Sequence, residues 1–236
     1  MDLIKLIERG GLPVMVTLMV LSVLSLTVAF ERLRFWFMVL SKEREIVGRI
    51  LDAARRDWSI ATEIARQAYE QPVGRFLYSA LRLQNPDPEL FRLALEAGAE
   101  EEIANMRRGE KIFEFVIATA PLLGLLGTVL GLMDTLGSIT SFSQLGGKAA
   151  DEAAGGIGRS LITTATGLVV ALISLGFFRL FQGLVFNQAK IFRRAGNEIE
   201  LLYRQKWQYE NSDHYHKLQA QLLPEQLLQN DEASRD

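Results

Sequence analysis

Three stretches of the chain carry no charged residue: Leu12 to Phe30, Phe115 to Met133, and Ser160 to Phe178. Each is 19 residues long, enough for a helix at about 1.5 Å per residue to cross a hydrocarbon layer of about 30 Å. A soluble core helix of that length shows a charged face, and these do not. The pattern predicts three transmembrane helices.

Between the first and second runs the pattern changes to one apolar residue per helical turn. Ile46, Ile50, Ala53 or Ala54, and Trp58 recur at helical spacing, with Lys42, Arg49 and Arg56 elsewhere on the surface. This predicts an amphipathic helix over 41–71, interrupted by Pro72. A shorter helix over 73–83 ends at Asn85-Pro86-Asp87-Pro88, a turn sequence. From Glu89 nothing breaks the helical pattern before Phe113, so one long helix is expected to become the second span. The third span is expected to continue past Arg179 to about Trp207. Residues 209–236 are polar with little periodicity and read as a mobile tail. No strand pattern stands out.

The expected fold is all-α: a three-span integral membrane protein, its long helices extending into the cytoplasm. The expected segments are an external N-terminus with the first span (1–40) and a cytoplasmic helical region (41–111). The second span (112–135), an external loop (136–158) and the third span (159–181) follow. A cytoplasmic helix (182–208) and the tail (209–236) complete the chain. No domain boundary is evident.

Basic residues orient the spans. Arg32, Arg34, Lys42, Arg44 and Arg49 follow the first run, and Arg107, Arg108 and Lys111 precede the second. Arg179, Lys190, Arg193 and Arg194 follow the third, whereas only Lys148 and Arg159 lie between the second and third. The N-terminus and the 134–159 loop are expected outside and the C-terminus in the cytoplasm. Phe30-Glu31-Arg32-Leu33-Arg34 after the first run is no cleavage site, so that run is expected to remain as an anchor. The net charge of −2 argues against a nucleic-acid partner, and the absence of cysteine excludes disulfides, thiol catalysis and cysteine-ligated metals.

The spans differ in side-chain size. The first is bulky, with Leu18, Met19, Leu21, Val23, Leu24, Leu26 and Val28. The second carries Ala120, Gly124, Thr128, Gly131 and Thr135 on one face. The third carries Ser160, Thr164, Gly167, Ala171 and Ser174 in the same way. Gly127 and Gly131 add a small-xxx-small pair. Small residues let helix backbones approach, and hydroxyls bond across helix interfaces or to water. Packing alone explains such stripes; a water-accessible pore lined by part of the face is the sharper reading, and the two are compatible. Pro121 is expected to kink the second span. Asp134 closes that span and Arg159 opens the third, either as an interfacial ion pair or as charges that gate a pore. Glu114 reads as a solvated boundary residue.

No catalytic pattern emerges. Gly147-Lys148 lacks the first glycine and the hydroxyl residue of a phosphate loop. The glycines of Leu123-Gly124-Leu125-Leu126-Gly127 lie inside a span with no preceding strand. His214 and His216 have no further metal ligands nearby in sequence. No nucleophile–base–acid arrangement is visible, so neither enzymatic activity nor a cofactor or metal is expected.

The run Ala120-Pro121-Leu122-Leu123-Gly124-Leu125-Leu126-Gly127-Thr128-Val129-Leu130-Gly131-Leu132-Met133 resembles the second-span signature of the ExbB/TolQ/MotA proton-channel family. Gly156-Ile157 and Leu161 through Leu168 resemble its third-span signature, and the three-span arrangement is closest to ExbB-type biopolymer transport subunits. The resemblance covers nearly the whole chain. It implies an inner-membrane ring, usually a homopentamer, around single-span ExbD- or TolR-like partners that each carry a membrane aspartate. Proton flow would then drive protein or biopolymer transport, in the ExbB branch through a TonB-like partner. By motif position Thr128 and Thr164 match the family's lumen threonines, with Ser160 on the same wall. Gly124, Gly127, Gly131, Gly167 and Pro121 fall to helix packing. One position departs: ExbB and TolQ usually place a glutamate where this chain has Arg159. An arginine stays protonated and cannot relay a proton. The alternative expectation is therefore a non-conducting ring scaffold that assembles partner proteins.

Overall fold

A computed structural model describes residues 12–139 and 148–233, with side chains described for 13–136, 154–158 and 160–212. All regular elements among the described residues are helices: α1 (Leu12–Ala54), α2 (Trp58–Gln67), α3 (Pro72–Leu81), α4 (Pro88–Met106), α5 (Glu110–Ile139) and α6 (Lys148–Ala233). Three helical stretches are long and apolar enough to cross a membrane: Pro13–Ala54, Pro88–Leu136 and Ala154–Ser212. The all-α, three-span reading stands.

The interruptions fall where local backbone chemistry beats periodicity. The amphipathic helix expected over 41–71 is two helices. At 55–57 the chain leaves α1, and Asp57 adopts an extended backbone (φ −149°, ψ 121°). Its Oδ1 accepts from the Ser59 N–H at 2.7 Å and the Ser59 hydroxyl at 2.6 Å, capping α2. Those bonds hold the Asp57 carboxyl below its ordinary range. Pro72 does not interrupt a helix; it opens α3 from the first turn, where no N–H is needed. Pro88 opens α4 in the same manner, with Asp87 Oδ1 accepting from Leu90 N–H at 2.7 Å. The single helix expected from Glu89 into the second span is also broken. Gly109 takes φ 91°, a left-handed value that suits glycine, and separates α4 from α5. Two helices run further than expected. α6 starts at Lys148 rather than near 159, and it continues to Ala233 through the stretch read as an irregular tail. That stretch is rich in Leu and Gln, which favour helix over coil.

The chain forms two compact units, residues 1–38 with 106–186 and residues 39–105 with 187–236. Each is assembled from separated segments, which is why no boundary shows in the sequence.

In the first unit Val14, Leu18 and Leu21 of α1 pack with Val116 and Ala120 of α5 and Val170 and Ala171 of α6. The outward residues are equally apolar: Met19, Val20, Leu122, Leu125, Val129, Met133, Leu161, Leu168 and Leu172 are exposed. A face this apolar is stable against hydrocarbon rather than water. The first unit is thus the membrane part of a membrane protein.

The second unit is held by aromatic packing and one buried ion pair. Phe91 stacks on Tyr203 with centroids 4.2 Å apart, and Phe76 stacks on Phe192 at 4.7 Å. The Tyr203 hydroxyl donates to the Pro86 carbonyl, anchoring the turn that precedes α4. Arg75 donates from Nε and Nη2 to both carboxylate oxygens of Glu102, each at 2.7 Å, and the Glu102 side chain is only 6% exposed. Gln188 donates to the buried carboxylate of Glu43.

Candidate seam between the second and third spans

The small-residue faces of α5 and α6 meet each other inside the chain. A Cβ built on Gly124 would lie 3.0 Å from Thr164 Cα and 3.1 Å from the Thr163 carbonyl oxygen. One on Gly167 would overlap the Ala120 carbonyl oxygen and reach Gly124 Cα at 3.1 Å. One on Gly131 would collide with Ser160 Oγ, and one on Gly127 with Thr163 Cγ2. The glycines are therefore notches, each receiving a backbone or hydroxyl residue of the other helix. Pro121 lies inside α5, half-buried, one position after Ala120. Having no N–H, it removes one rung from the helix ladder.

The hydroxyls lie along the same seam. Thr164 Oγ1 donates across it to the Gly124 carbonyl at 2.9 Å. Thr128, buried, donates to the Leu125 carbonyl of its own helix at 2.6 Å. Ser160, also buried, donates to Gly156 at 3.0 Å, and Thr135 donates to Gly131 at 2.7 Å. Each donor answers an otherwise costly polar group in apolar surroundings. Hydroxyl oxygens keep acceptor capacity after donating, so the seam can still take a hydrogen bond from water or another side chain.

The sequence-predicted residues thus divide. Thr128, Thr164, Ser160, Gly124, Gly127, Gly131, Gly167 and Pro121 are brought to one helix pair. Asp134 is exposed towards the end of α5. Residue 159 lies within α6, but the side chain of Arg159 falls outside the described residues, and so do those of His214 and His216. Gly147 of the Gly147-Lys148 pair also lies outside them. No group of three His, Asp or Glu side chains able to hold a metal occurs among the described residues.

In the first unit two buried hydroxyl residues, Ser25 and Thr163, escaped the sequence reading. Ser25 of α1 sits 2.7 Å from Ser174 of α6. Ser174 spends its proton on the Val170 carbonyl at 2.8 Å, so Ser25 is the donor between them. Ser25 ties the bulky first span to the third. The first run also holds Thr17, Ser22 and Thr27, so no sequence signal singled Ser25 out. Thr163, buried beside Gly127, escaped because its neighbour Thr164 carried the motif match.

The profile of the MotA/TolQ/ExbB proton channel family matches residues 68–194, a span that contains α3 to α5 and the seam. An ExbB-like biopolymer transport protein of Synechocystis is 48% identical over 199 residues, covering 84% of this chain and 78% of the relative. A second ExbB-like protein of that organism is 34% identical over 195 residues, covering 83% and 92%. An ExbB homologue of Methanothermobacter thermautotrophicus is 29% identical over 167 residues, covering 70% and 55%. With the glycine notches and hydroxyls of the two signature spans inside the matched region, this chain belongs to the MotA/TolQ/ExbB proton channel family.

Proposed function

We propose that the chain is an ExbB-like energising subunit of the inner membrane, with its N-terminus outside and its C-terminus in the cytoplasm. Copies of it, in the usual family arrangement five, surround ExbD- or TolR-like single-span partners. They couple proton flow to biopolymer transport, in some systems through a TonB-like protein, and no step is enzymatic. The observation that carries this reading is the seam itself. Thr128, Thr164 and Ser160 form a run of hydroxyls in the two spans that hold the family's signatures. Small side chains suit a lumen occupied by partner helices better than an open channel. Asp134, exposed near the outer end of the second span, supplies a carboxylate to the same pathway.

One residue favours a second reading, a ring that assembles partners without conducting. Arg159 stands where the family usually places a glutamate, and its fixed positive charge opposes cation passage. The hydroxyl bonds to backbone carbonyls fit a packing role equally well. Proton flux into liposomes, with and without an ExbD-like partner, separates the two. Conduction by the unaltered chain with its partner rules out the scaffold. A silent wild type in which Arg159→Glu restores flux rules out conduction by this subunit as it stands.

A further inference from the structure

The first unit buries two donors with nothing to receive them. Arg32 Nε and Trp36 Nε1 are buried and have no hydrogen-bond partner, and the two residues are 6% and 2% exposed. They lie one turn apart on α1, on one face, directly past the end of the first charge-free run. A buried N–H of a cationic group without an acceptor is costly in general, so its retention at the membrane boundary calls for an acceptor, and the positive charge favours an anion.

The surroundings supply none. Glu31, Arg108 and Glu110 act electrostatically on Arg32, and no carboxylate among the described residues comes within ion-pair distance of it. Its guanidinium lies over the ring face of Phe35, 5.4 Å from the centroid. In the turn over it the Arg107 carbonyl accepts from Glu110, the Gly109 carbonyl accepts from Ile112 and Phe113, and neither bonds Arg32. At Gly109 the φ of 91° and a Cβ that would come within 3.0 Å of Val28 Cγ1 favour glycine, and that Cβ position lies 3.4 Å from Arg32 Nε, which places the turn against the arginine. Arg108, exposed in the same turn, adds a second guanidinium.

We propose that Arg32 and Arg108 hold the phosphate of an anionic lipid headgroup, with the Trp36 indole N–H at headgroup depth beside it. Arginine forks suit phosphate oxygens, and a tryptophan at the interface keeps its ring in the apolar layer and its N–H among polar groups. The acyl chains would run along the exposed aliphatic face of α1, at Val20, Val23 and Leu24. This site would tie α1 to the α4–α5 turn through a molecule of the bilayer. It depends on the first unit lying in the membrane, and not on proton conduction or on any partner protein.

The test uses the full chain, delipidated in detergent and examined by native mass spectrometry after adding phosphatidylglycerol or phosphatidylcholine. At about 1 kcal/mol per arginine at a lipid surface, phosphatidylglycerol should be retained over phosphatidylcholine by about fivefold or more. Arg108→Gln, at an exposed position, should lose about fivefold of that preference with helicity unchanged. Trp36→Phe, which keeps the ring and removes the donor, should weaken retention less. Equal retention of the two lipids overturns the proposal, as does a preference untouched in Arg108→Gln and Arg32→Gln. Displacement of phosphatidylglycerol by inorganic phosphate assigns the site to a free anion and rejects the lipid. Variants that change the oligomeric mass but not lipid retention assign the donors to a subunit contact, which also overturns it.

Discussion

Replacing Gly167 with alanine adds one methyl group where α5 and α6 are closest. The new carbon would sit 3.1 Å from Gly124 Cα and closer still to the Ala120 carbonyl oxygen. Comfortable carbon–carbon contact is about 3.5–4.0 Å, so the helices must part locally by about 0.5 Å or more. The Thr164 to Gly124 bond, now 2.9 Å, would then stretch beyond the usual O–H···O range of about 2.5–3.0 Å. Overpacking costs about 1–3 kcal/mol, and an interhelical bond in a membrane is worth about 0.6 kcal/mol. Alanine's better helix propensity returns about 1 kcal/mol. The net loss is about 0.6–2.6 kcal/mol, which for a chain of this size lowers the midpoint by about 1–10 °C. Gly176→Ala is the matched control, because nothing lies within 4 Å of a Cβ there. It should be neutral or stabilising. Thermal unfolding of both variants in the same detergent, followed by circular dichroism, measures the difference. If Gly167→Ala melts with Gly176→Ala, the notch argument for the seam fails.

Arg75→Met should destabilise the second unit by about 2 kcal/mol, since it strands the Glu102 carboxylate in a site where both oxygens are bonded to the guanidinium. Denaturant unfolding would show this, and Arg75→Met combined with Glu102→Leu should recover most of the loss. Asp57→Asn should keep the α2 cap but remove its pH dependence. The Asp57 carboxyl is held below its ordinary range by Ser59, so its contribution is complete above the unfolded value near pH 4. It fades as the pH falls through the lower folded value, and melting curves between pH 6 and 3 should converge for wild type and variant only at the acidic end. Ser25→Ala should cost under about 1 kcal/mol, because Ser174 keeps its bond to Val170. Thermal unfolding in detergent checks this, and a loss of several kcal/mol would mean that Ser25 serves more than one partner.

Much of the seam was legible before any coordinates. Glycine and hydroxyl residues three and four apart can share only one side of a helix, so Gly124, Thr128 and Gly131 had to form a face. The identity of the surface opposite could not be read. The same stripe fits a lumen or a neighbouring helix, and the facing residues lie far along the chain, as Gly124 and Thr164 or Gly167 and Ala120 do. Ser25 shows the limit: it is one of four hydroxyl residues in the first run, with Thr17, Ser22 and Thr27, and only Ser174 on another helix singles it out. Arg32 counted in the sequence only as one of the basic residues that orient the first span, and the 107–109 turn that lies against it comes from elsewhere in the chain.

Runs without charge set three membrane-length helices, and alternation at helical spacing set the rest as helical, because backbone polar groups in hydrocarbon can be satisfied within a single helix. These are properties of consecutive residues and need no distant partner. The breaks at Asp57 and Gly109 depended on capping bonds and a left-handed backbone, which periodicity does not register. Which face meets which, which hydroxyl finds a carbonyl and which buried cation finds nothing were settled by contacts between segments far apart in the chain. Such contacts come from filling space, and a pattern of residue types fixes the material for them without choosing their pairing.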